Sequence, residues 1–471
     1  MRYVLDERYR LRGWKGAPCG IYDMRERSAR FVNSSLYELV LLCDACHEIE
    51  ADSLSEEENE FLSSLLSRGV VRIAGPWDFL GREQSYVAYP ARYRPMGRLS
   101  VTGACNLKCR HCFMSAPKAK HATPSLEELV GVADQLAECG VLNLRITGGE
   151  PLMRNDFLEF IDALVEREIA VMTISTNGWN LSERLLDGLE ARGVRPMFMV
   201  SFDGVGQHDF LRGVEGSEER AVSALRMLQN HGLRTAVAMC LHRRNVSVMR
   251  ESVNLLASLG VGLLKFGSML KLGEWADPDL DSIRLTREEE LEAFEAYIPQ
   301  YFEDGAPLAI AMSQFFSYTP GDSTWSIPLH QECPVSEEGE ALACDLLRRT
   351  FFIASDGRVA PCAGMDDCAI ADSLPSLREM RLADILDDPG YLRLSYATVG
   401  DVRDGNGQCR SCEFVDRCCG GCRRSALAAT GDFYAPDPDT CYFFKHGWEE
   451  RIRAAAQPAF EDYLRRNPPK R

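Results

Sequence analysis

The chain has 471 residues, of which 45% are apolar and 26% charged, so it can bury the cores of two to four domains. Its net charge of −17 argues against a nucleic-acid partner, because phosphate binding needs a basic face. No apolar run approaches the roughly 18 residues of a membrane span, and the N-terminus lacks a signal-peptide core. We therefore expect a cytoplasmic protein without a membrane partner. Eighteen cysteines without an export signal favour metal or redox chemistry over disulfides.

Residues 1–85 are predicted to form a domain of short strands followed by two helices. The helices are predicted at 35–46 and 55–68. The second begins with Ser55 and has Glu58 three residues later, the pattern of a capping box. Residues 1–30 hold eight Arg or Lys against four Asp or Glu. This basic excess fits either a solvated face or a dock for an acidic peptide.

A linker at 86–95 is predicted to lead into a second domain, residues 96–305, in which strands and helices alternate. Strands are predicted at 99–102, 141–147, 170–176, 197–202, 235–241 and 262–268. Helices are predicted between them at 125–139, 156–166, 181–191, 217–230 and 246–259, with a longer one at 286–302. This alternation predicts an α/β domain with a parallel sheet, either open or curled toward a barrel.

Residues that carry chemistry stand at the ends of the first four strands. They are Cys105, Cys109 and Cys112 after the first, Gly148 to Pro151 after the second, Ser175 to Gly178 at the third and Ser201 to Gly204 at the fourth. Since the carboxyl ends of parallel strands meet at one edge of a sheet, we expect these residues to lie together. Three cysteines on a four-iron cluster leave one iron open for a ligand, whereas structural zinc needs four closed ligands.

A cysteine-rich region is predicted at 330–445, before a final helix in residues 446–471. Its cysteines are Cys333, Cys344, Cys362, Cys368, Cys409, Cys412, Cys418, Cys419, Cys422 and Cys441. Thiolates at such spacings bind zinc or iron–sulfur clusters, and spacing alone does not separate the two.

The three-cysteine motif and Gly148-Gly149-Glu150-Pro151 resemble the radical S-adenosylmethionine (SAM) superfamily over about residues 98–270. The resemblance implies a partial (β/α)6 TIM-like barrel, with a 4Fe–4S cluster on Cys105, Cys109 and Cys112 and SAM at its open iron. It also implies SAM cleavage to a 5′-deoxyadenosyl radical that abstracts a substrate hydrogen. The residues implied to lie near SAM are Gly148, Gly149, Glu150, Ser175, Asn177, Ser201 and Asp203. Arg212 is expected either to pair with the SAM carboxylate or to be a surface arginine.

The cysteine-rich region resembles the SPASM extension of the same superfamily, whose spacing it matches at seven cysteines. The resemblance implies two auxiliary 4Fe–4S clusters, and so three clusters in all. One is assigned Cys344, Cys362 and Cys422, and the other Cys409, Cys412, Cys418 and Cys441. For the fourth ligand of the first, Cys333 is the candidate and Cys368 the rival. An open site for substrate is the third alternative.

The N-terminal domain resembles, over residues 1–75, a small winged-helix module that binds the leader of a ribosomally made precursor peptide. Such a leader can bind by adding a strand to an exposed sheet edge. The alternative is a winged-helix cap with a purely structural role.

Together these resemblances imply an enzyme that modifies a ribosomally synthesised precursor peptide, with a thioether or carbon–carbon crosslink as the expected product. An external electron donor such as flavodoxin or ferredoxin is expected. No catalytic acid or base is assigned. One alternative is an anaerobic sulfatase maturase, in which an Asp is expected directly after Cys362, where this chain has Ala363 and then Asp366. An alternative of another class is an iron–sulfur electron-transfer or scaffold protein.

Overall fold

The computed structural model describes residues 1–116, 122–267, 271–329, 333 and 339–468. The N-terminal part contains two small sheets and two helices around one apolar core. Its elements are β1 (Arg2–Leu5), β2 (Tyr9–Lys15), β3 (Ala17–Asp23), β4 (Ser28–Phe31), α1 (Ser34–Leu41), β5 (Asp44–Glu48), α2 (Glu56–Ser67), β6 (Val71–Ile73) and β7 (Val87–Arg92). The strand orders are β5-β1-β6 and β4-β3-β2-β7. The capping box of Ser55 and Glu58 is present at the start of α2.

Two local predictions in this part are wrong. The helix predicted at 35–46 ends at Leu41, because Asp44 accepts hydrogen bonds from the backbone of Cys46 and His47 and Ala45 adopts a φ of +70°. The chain then forms β5 instead of a further helical turn. The linker predicted at 86–95 contains β7, which pairs in parallel with β2.

The middle of the chain forms the large parallel sheet that the alternating pattern predicts. Its strands are β8 (Met96–Ser100), β9 (Asn143–Thr147), β10 (Ala170–Thr176), β11 (Met197–Ser201), β12 (Thr235–Cys240), β13 (Leu263–Gly267) and β14 (Ala309–Met312). The helices are α3 (Leu126–Glu138), α4 (Phe157–Glu166), α5 (Glu183–Ala191), α6 (His208–Arg212), α7 (Ser217–Asn230), α8 (Met249–Ser258) and α9 (Arg287–Glu303). The α/β class is confirmed. Ser268, predicted to end the sixth strand, lies outside the described residues.

The C-terminal part extends this sheet at both ends. Its strands are β15 (Phe316–Tyr318), β16 (Thr350–Ile353) and β17 (Val359–Ala360). Its helices are α10 (Asp345–Arg349), α11 (Leu382–Asp387), α12 (Pro389–Ser395), α13 (Val399–Gly405), α14 (Gly407–Arg410), α15 (Val415–Cys418), α16 (Arg423–Thr430), α17 (Pro438–Lys445) and α18 (Trp448–Arg466). The sheet has ten strands in the order β15-β14-β13-β12-β11-β10-β9-β8-β16-β17.

The cysteine-rich region and the final helix each contact the barrel. Strand β16 pairs in parallel with β8, with Phe352 opposite Arg98. Helix α18 packs on α9, where the rings of Phe302 and Phe460 lie 5.4 Å apart. Among the described residues, every helix is too short or too polar to cross a bilayer.

Candidate active site

The loop after β8 and the turn after β9 lie against each other at the carboxyl edge of the sheet. The backbone N–H of Gly149 donates to Thr102 O at 2.7 Å, and that of Glu150 donates to Ala104 O at 2.8 Å. A Cβ atom on Gly149 would lie 2.1 Å from Ala104 O, so only glycine permits this approach. The glycine pair therefore holds the cysteine loop close to the end of β9.

Glu150 ties this turn to the end of β10. Its side chain is fully buried and accepts hydrogen bonds from the Thr176 hydroxyl at 2.7 Å and from the backbone N–H groups of Asn177 at 2.7 Å and Leu152 at 3.1 Å. Burial raises the pKa of Glu150 to about 7, although the three hydrogen bonds favour its charged form. Glu150 therefore positions the backbone around it.

The thiols of Cys105, Cys109 and Cys112 form one group beside this turn. Burial raises the pKa of Cys105 to about 11, and the neighbouring Cys109 and Cys112 add to the shift. Hydrogen-bond donors face each sulfur. The Nδ2 of Asn177 lies 4.0 Å from Cys105 Sγ, the Nη1 of Arg212 lies 3.7 Å from Cys109 Sγ, and the backbone N of Ala116 lies 3.4 Å from Cys112 Sγ.

This arrangement fits a thiolate-bound cluster with a ligand beside it. Each sulfur has a donor suited to a thiolate, and Asn106 Nδ2 and His111 Nδ1 are buried nearby without hydrogen-bond partners. The group contains three cysteines, which leaves one iron of a four-iron cluster without a protein ligand from this motif.

Asp203 and Arg212 form a buried ion pair next to the cysteine group. The Arg212 Nε donates to Asp203 Oδ2 at 2.7 Å, and the backbone N–H of Cys240 donates to Asp203 Oδ1 at 2.9 Å. Burial opposes ionisation of Asp203, but Arg212, His111 and His208 lower its pKa to about 2. Arg212 is only 8% exposed, so the surface alternative for this residue is wrong.

The two predicted serines lie where the barrel strands end. Ser175 and Ser201 are partly buried near the carboxyl ends of β10 and β11. Asn177 follows β10, and its Nδ2 donates to Asn106 Oδ1 at 2.8 Å. The structure therefore brings every predicted SAM-contact residue to one edge of the sheet. That these residues bind SAM stays a prediction.

Sequence reasoning did not predict that His111, His208 and Cys240 lie beside Asp203. One ligand atom each of His111, Asp203 and Cys240 lies within 4.8 Å of the others, and His208 Nδ1 accepts from the backbone N–H of Asp203 at 2.9 Å. Burial lowers the pKa of His111 to about 3 and that of His208 to about 4, so both rings are neutral at pH 7. The position of His111 between two cysteines of the motif was the available signal.

The later cysteines form two further groups. In the first, Cys362 lies close enough to Cys344, Cys368 and Cys422 to raise the pKa of each thiol, after burial as the larger cause. In the second group, Cys409, Cys412 and Cys441 lie close enough to Cys418 to raise the pKa of its thiol, again after burial as the larger cause. Cys409 and Cys412 likewise raise the pKa of Cys441. The structure thus brings together the members assigned to each auxiliary cluster.

Cys333 does not belong to the first of these groups in the structure. It lies against Cys419, and the two share a hydrogen bond and a small apolar cluster. Cys368, the rival candidate, packs with Cys344 and Cys362. The grouping therefore favours Cys368 as the fourth ligand, and the assignment of either cysteine to iron stays a prediction.

The fold and the three cysteine groups define a class of protein. The radical SAM superfamily model matches residues 99–256, and the SPASM iron–sulfur cluster-binding domain model matches residues 344–413. The chain therefore contains a radical SAM domain and a SPASM domain. These domains imply a SAM-binding 4Fe–4S cluster and auxiliary clusters, which the three cysteine groups fit.

Particular relatives narrow the class. The PqqA peptide cyclase of Granulibacter bethesdensis is 27% identical over 377 residues, covering 79% of this chain and 94% of that protein. The AdoMet-dependent heme synthase of Methanosarcina barkeri is 24% identical, covering 73% of this chain and 95% of that protein. The structure of Streptococcus suis SuiB bound to precursor peptide SuiA has the same fold at a TM-score of 0.60 and 15% identity, covering 93% of this chain and 99% of that chain.

Proposed function

We propose that the protein is a radical SAM peptide maturase, which modifies a ribosomally synthesised precursor peptide by hydrogen-atom abstraction. The observation that carries the proposal is the combination of a three-cysteine group at the barrel edge with two cysteine groups in the SPASM domain. The names of the peptide cyclase relative and of peptide-bound SuiB point to a peptide as substrate.

When bound, SAM and its cluster supply a carbon-centred radical that abstracts hydrogen. The chain's own residues hold and shield the reactants. Gly148 and Gly149 present backbone groups at the edge where SAM is expected, and Glu150 fixes that backbone by three hydrogen bonds. Arg212 is held by Asp203 and directs Nη1 toward Cys109 Sγ. The buried Glu150, Asp203 and Arg212 side chains limit the access of water to this edge.

The N-terminal domain is proposed to bind the leader of the peptide. Strand β4 is an edge of its four-stranded sheet, and its last residue, Phe31, is 42% exposed. The backbone N–H of Ala29 on this strand donates to the Tyr93 hydroxyl at 3.2 Å. A sheet edge is suited to strand addition by an extended peptide, which at Ala29 would take the place of Tyr93. The match to SuiB covers 93% of this chain and so includes most of this domain.

The product is proposed to be a thioether or carbon–carbon crosslink. The two SPASM cysteine groups would hold auxiliary clusters, which would supply a site for electron relay or substrate binding. Either crosslink removes two hydrogen atoms from the peptide. One is abstracted from carbon, and the other leaves as a proton while one electron passes to an acceptor. An external donor, such as a flavodoxin or ferredoxin, would reduce the SAM-binding cluster.

The test is anaerobic incubation with SAM, a reductant and the peptide encoded by the small open reading frame beside the gene. The expected result is 5′-deoxyadenosine together with a peptide that has lost two hydrogen atoms by mass. Absence of 5′-deoxyadenosine with and without peptide would refute the enzyme. A chain lacking residues 1–85 should cleave SAM but lose affinity for the fluorescently labelled leader, and retained affinity would refute the leader-binding role.

The sulfatase-maturase alternative is not favoured. It expects a carboxylate directly after Cys362, where Ala363 stands, and the next carboxylate is Asp366. Asp366 is buried and its Oδ1 lies 3.4 Å from an Arg358 guanidinium nitrogen.

A further inference from the structure

Three cations lie on the inner side of the barrel, each in the middle of its strand: Arg98 on β8, Arg145 on β9 and Lys265 on β13. Their strand neighbours are buried in the core beneath the helices. These neighbours are Leu99, Leu144, Ile146, Leu264 and Phe266. Because side chains alternate across a strand, the three cations point into the barrel. Arg98 and Arg145 are direct partners in sheet register, so they lie side by side.

The inside of the barrel is open beside these cations. Lys265 is solvent-exposed although β13 is an interior strand of the ten-stranded sheet. Its register partners on the two neighbouring strands are Ala238 and Ala311, which leave space next to it. Gly267, two residues further on the same face, lines a neighbouring cavity of about 230 Å³, whose wall also includes Arg424, Asp437 and Asp439 but none of the three cations.

The three cations carry no compensating charge from the part of the chain that the structure describes. No carboxylate there pairs with any of them, and Arg145 Nε is buried without a hydrogen-bond partner. Partial desolvation lowers the pKa of Lys265, and the nearby Arg145 and Arg98 lower it further. Like charges placed side by side repel one another, and an anion bound between them relieves that repulsion. The group is therefore suited to an anionic ligand.

The cluster thiolates and SAM do not neutralise all three cations. Arg98 lies close enough to Cys362 for that thiol to affect its pKa, so a cluster could neutralise it. Among the described residues, no cysteine contributes to the pKa shift of Arg145 or of Lys265. The backbone expected to contact SAM begins at Gly148, about 10 Å further along the strand from Arg145. The cations thus lie deeper in the barrel than the expected SAM contacts.

We propose that Arg98, Arg145 and Lys265 bind a carboxylate of the peptide substrate, either an Asp or Glu side chain or the C-terminal carboxylate. This inference rests on the proposed function and deepens it, because it names the chemistry of the peptide residue that enters the barrel. A guanidinium group binds both oxygens of a carboxylate, and the ammonium of Lys265 adds a third donor. Such an anchor fixes the orientation of the neighbouring carbon for hydrogen abstraction.

The experiment compares Lys265→Met and Arg145→Gln with Arg184→Gln, an exposed arginine on α5, in iron-loaded full-length protein. The first two variants are expected to raise KM for the peptide at least about tenfold, the scale of one lost charged hydrogen bond. SAM affinity, peptide-independent 5′-deoxyadenosine formation and iron per chain are expected to stay unchanged. Arg184→Gln is expected to match the wild type in every measurement.

The peptide supplies the second arm of the experiment. Each Asp or Glu of the core is replaced singly by Asn or Gln, and the C-terminus is separately amidated. One of these peptides should show the same rise in KM on the wild-type enzyme, which identifies the source of the carboxylate. With the Lys265→Met enzyme, the KM for that peptide should rise little further, because the enzyme substitution and the peptide substitution remove the same interaction.

Four results would overturn the inference. A fall in SAM affinity would assign the cations to the SAM carboxylate, and a fall in iron per chain would assign them to a cluster. An unchanged KM for the peptide, or equal KM values for all peptides, would exclude a carboxylate anchor. Failure of the proposed function looks different, since the wild type would then cleave SAM without changing any peptide.

Discussion

Glu150 holds together the turn after β9 and the end of β10, where SAM is expected to bind. Glu150→Gln replaces one carboxylate oxygen by an NH2 group facing backbone N–H and hydroxyl donors, so a buried hydrogen bond is lost. The expected cost is about 1–3 kcal/mol of unfolding free energy, with weaker SAM binding and unchanged iron content. Denaturant unfolding and titration calorimetry with SAM measure these effects.

Glu159→Gln is the matched control for this change, because Glu159 is exposed on α4 of the same region. It should leave both unfolding free energy and SAM affinity at wild-type values. Equal SAM affinity in the two variants would contradict the positioning role of Glu150.

Cys368 and Cys333 give a second contrast between single residues. Cys368→Ala is expected to reduce the iron content of the reconstituted protein by up to about four atoms per chain, because Cys368 lies with Cys344 and Cys362. Cys333→Ala is expected to keep that iron, because Cys333 lies against Cys419. Iron and sulfide analysis with electron paramagnetic resonance measures both.

Cys139→Ala controls for the loss of a buried thiol, since Cys139 lies in the barrel core. It should retain all iron. Iron loss in Cys333→Ala with retention in Cys368→Ala would reverse the proposed ligand set.

Single residues were predictable where a motif fixed their neighbours, as for the cysteine loop and the Gly148 turn. The fourth ligand was not, because Cys333 and Cys368 both flank the motif at plausible spacings and only tertiary packing separates them. The inner cations were also missed. Arg98 and Lys265 occupy strand positions that alternation alone assigns equally well to solvent.

At the scale of elements, each of the six predicted barrel strands lies within three residues of one of β8 to β13, because each combines an apolar run with a helix after it. Strands β5, β7 and β14 were not predicted. Residues 44–48 lack apolar alternation, and β7 contains Pro90, which demotes a strand prediction. Strand β7 forms because its aromatic side chains have a partner: the rings of Tyr89 and Trp14 lie 5.3 Å apart.

Gly140 lies where Trp14 of strand β2 packs on the barrel, so a substitution there tests this contact. It follows α3 at a φ of +69°, and a Cβ there would lie 2.4 Å from both Trp14 Nε1 and Tyr89 Cδ2. Gly193, after α5, has a φ of +67° with no atom within 4 Å of such a Cβ. Gly193→Ala should cost about 1–2 kcal/mol from backbone strain alone.

Gly140→Ala should cost about 1–3 kcal/mol more than that, because Trp14 and Tyr89 must also move. Thermal unfolding followed by calorimetry measures the difference between the two variants. Equal destabilisation would mean that the packing of Trp14 on Gly140 contributes nothing to holding the two parts together.

At the scale of the whole molecule, the barrel and the SPASM domain differ in what their folding depends on. The barrel has a large apolar core of its own. The helices between 345 and 445 have only four to eight residues each, and their small cores include the candidate ligands themselves. Since metal binding free energy is folding free energy where no site preforms, the SPASM domain should depend on its clusters.

Removal of iron from the full chain by an anaerobic chelator is therefore expected to expose residues 339–445 to protease before residues 96–305. The loaded protein should hold about 12 iron atoms, and a Cys105→Ala, Cys109→Ala, Cys112→Ala triple variant about 8. That variant serves as control, because it should lose SAM cleavage yet keep residues 339–445 protected. Mass spectrometry of the first fragments locates the cleavage. Equal protection of the two regions after iron removal would mean that the SPASM domain folds without its clusters.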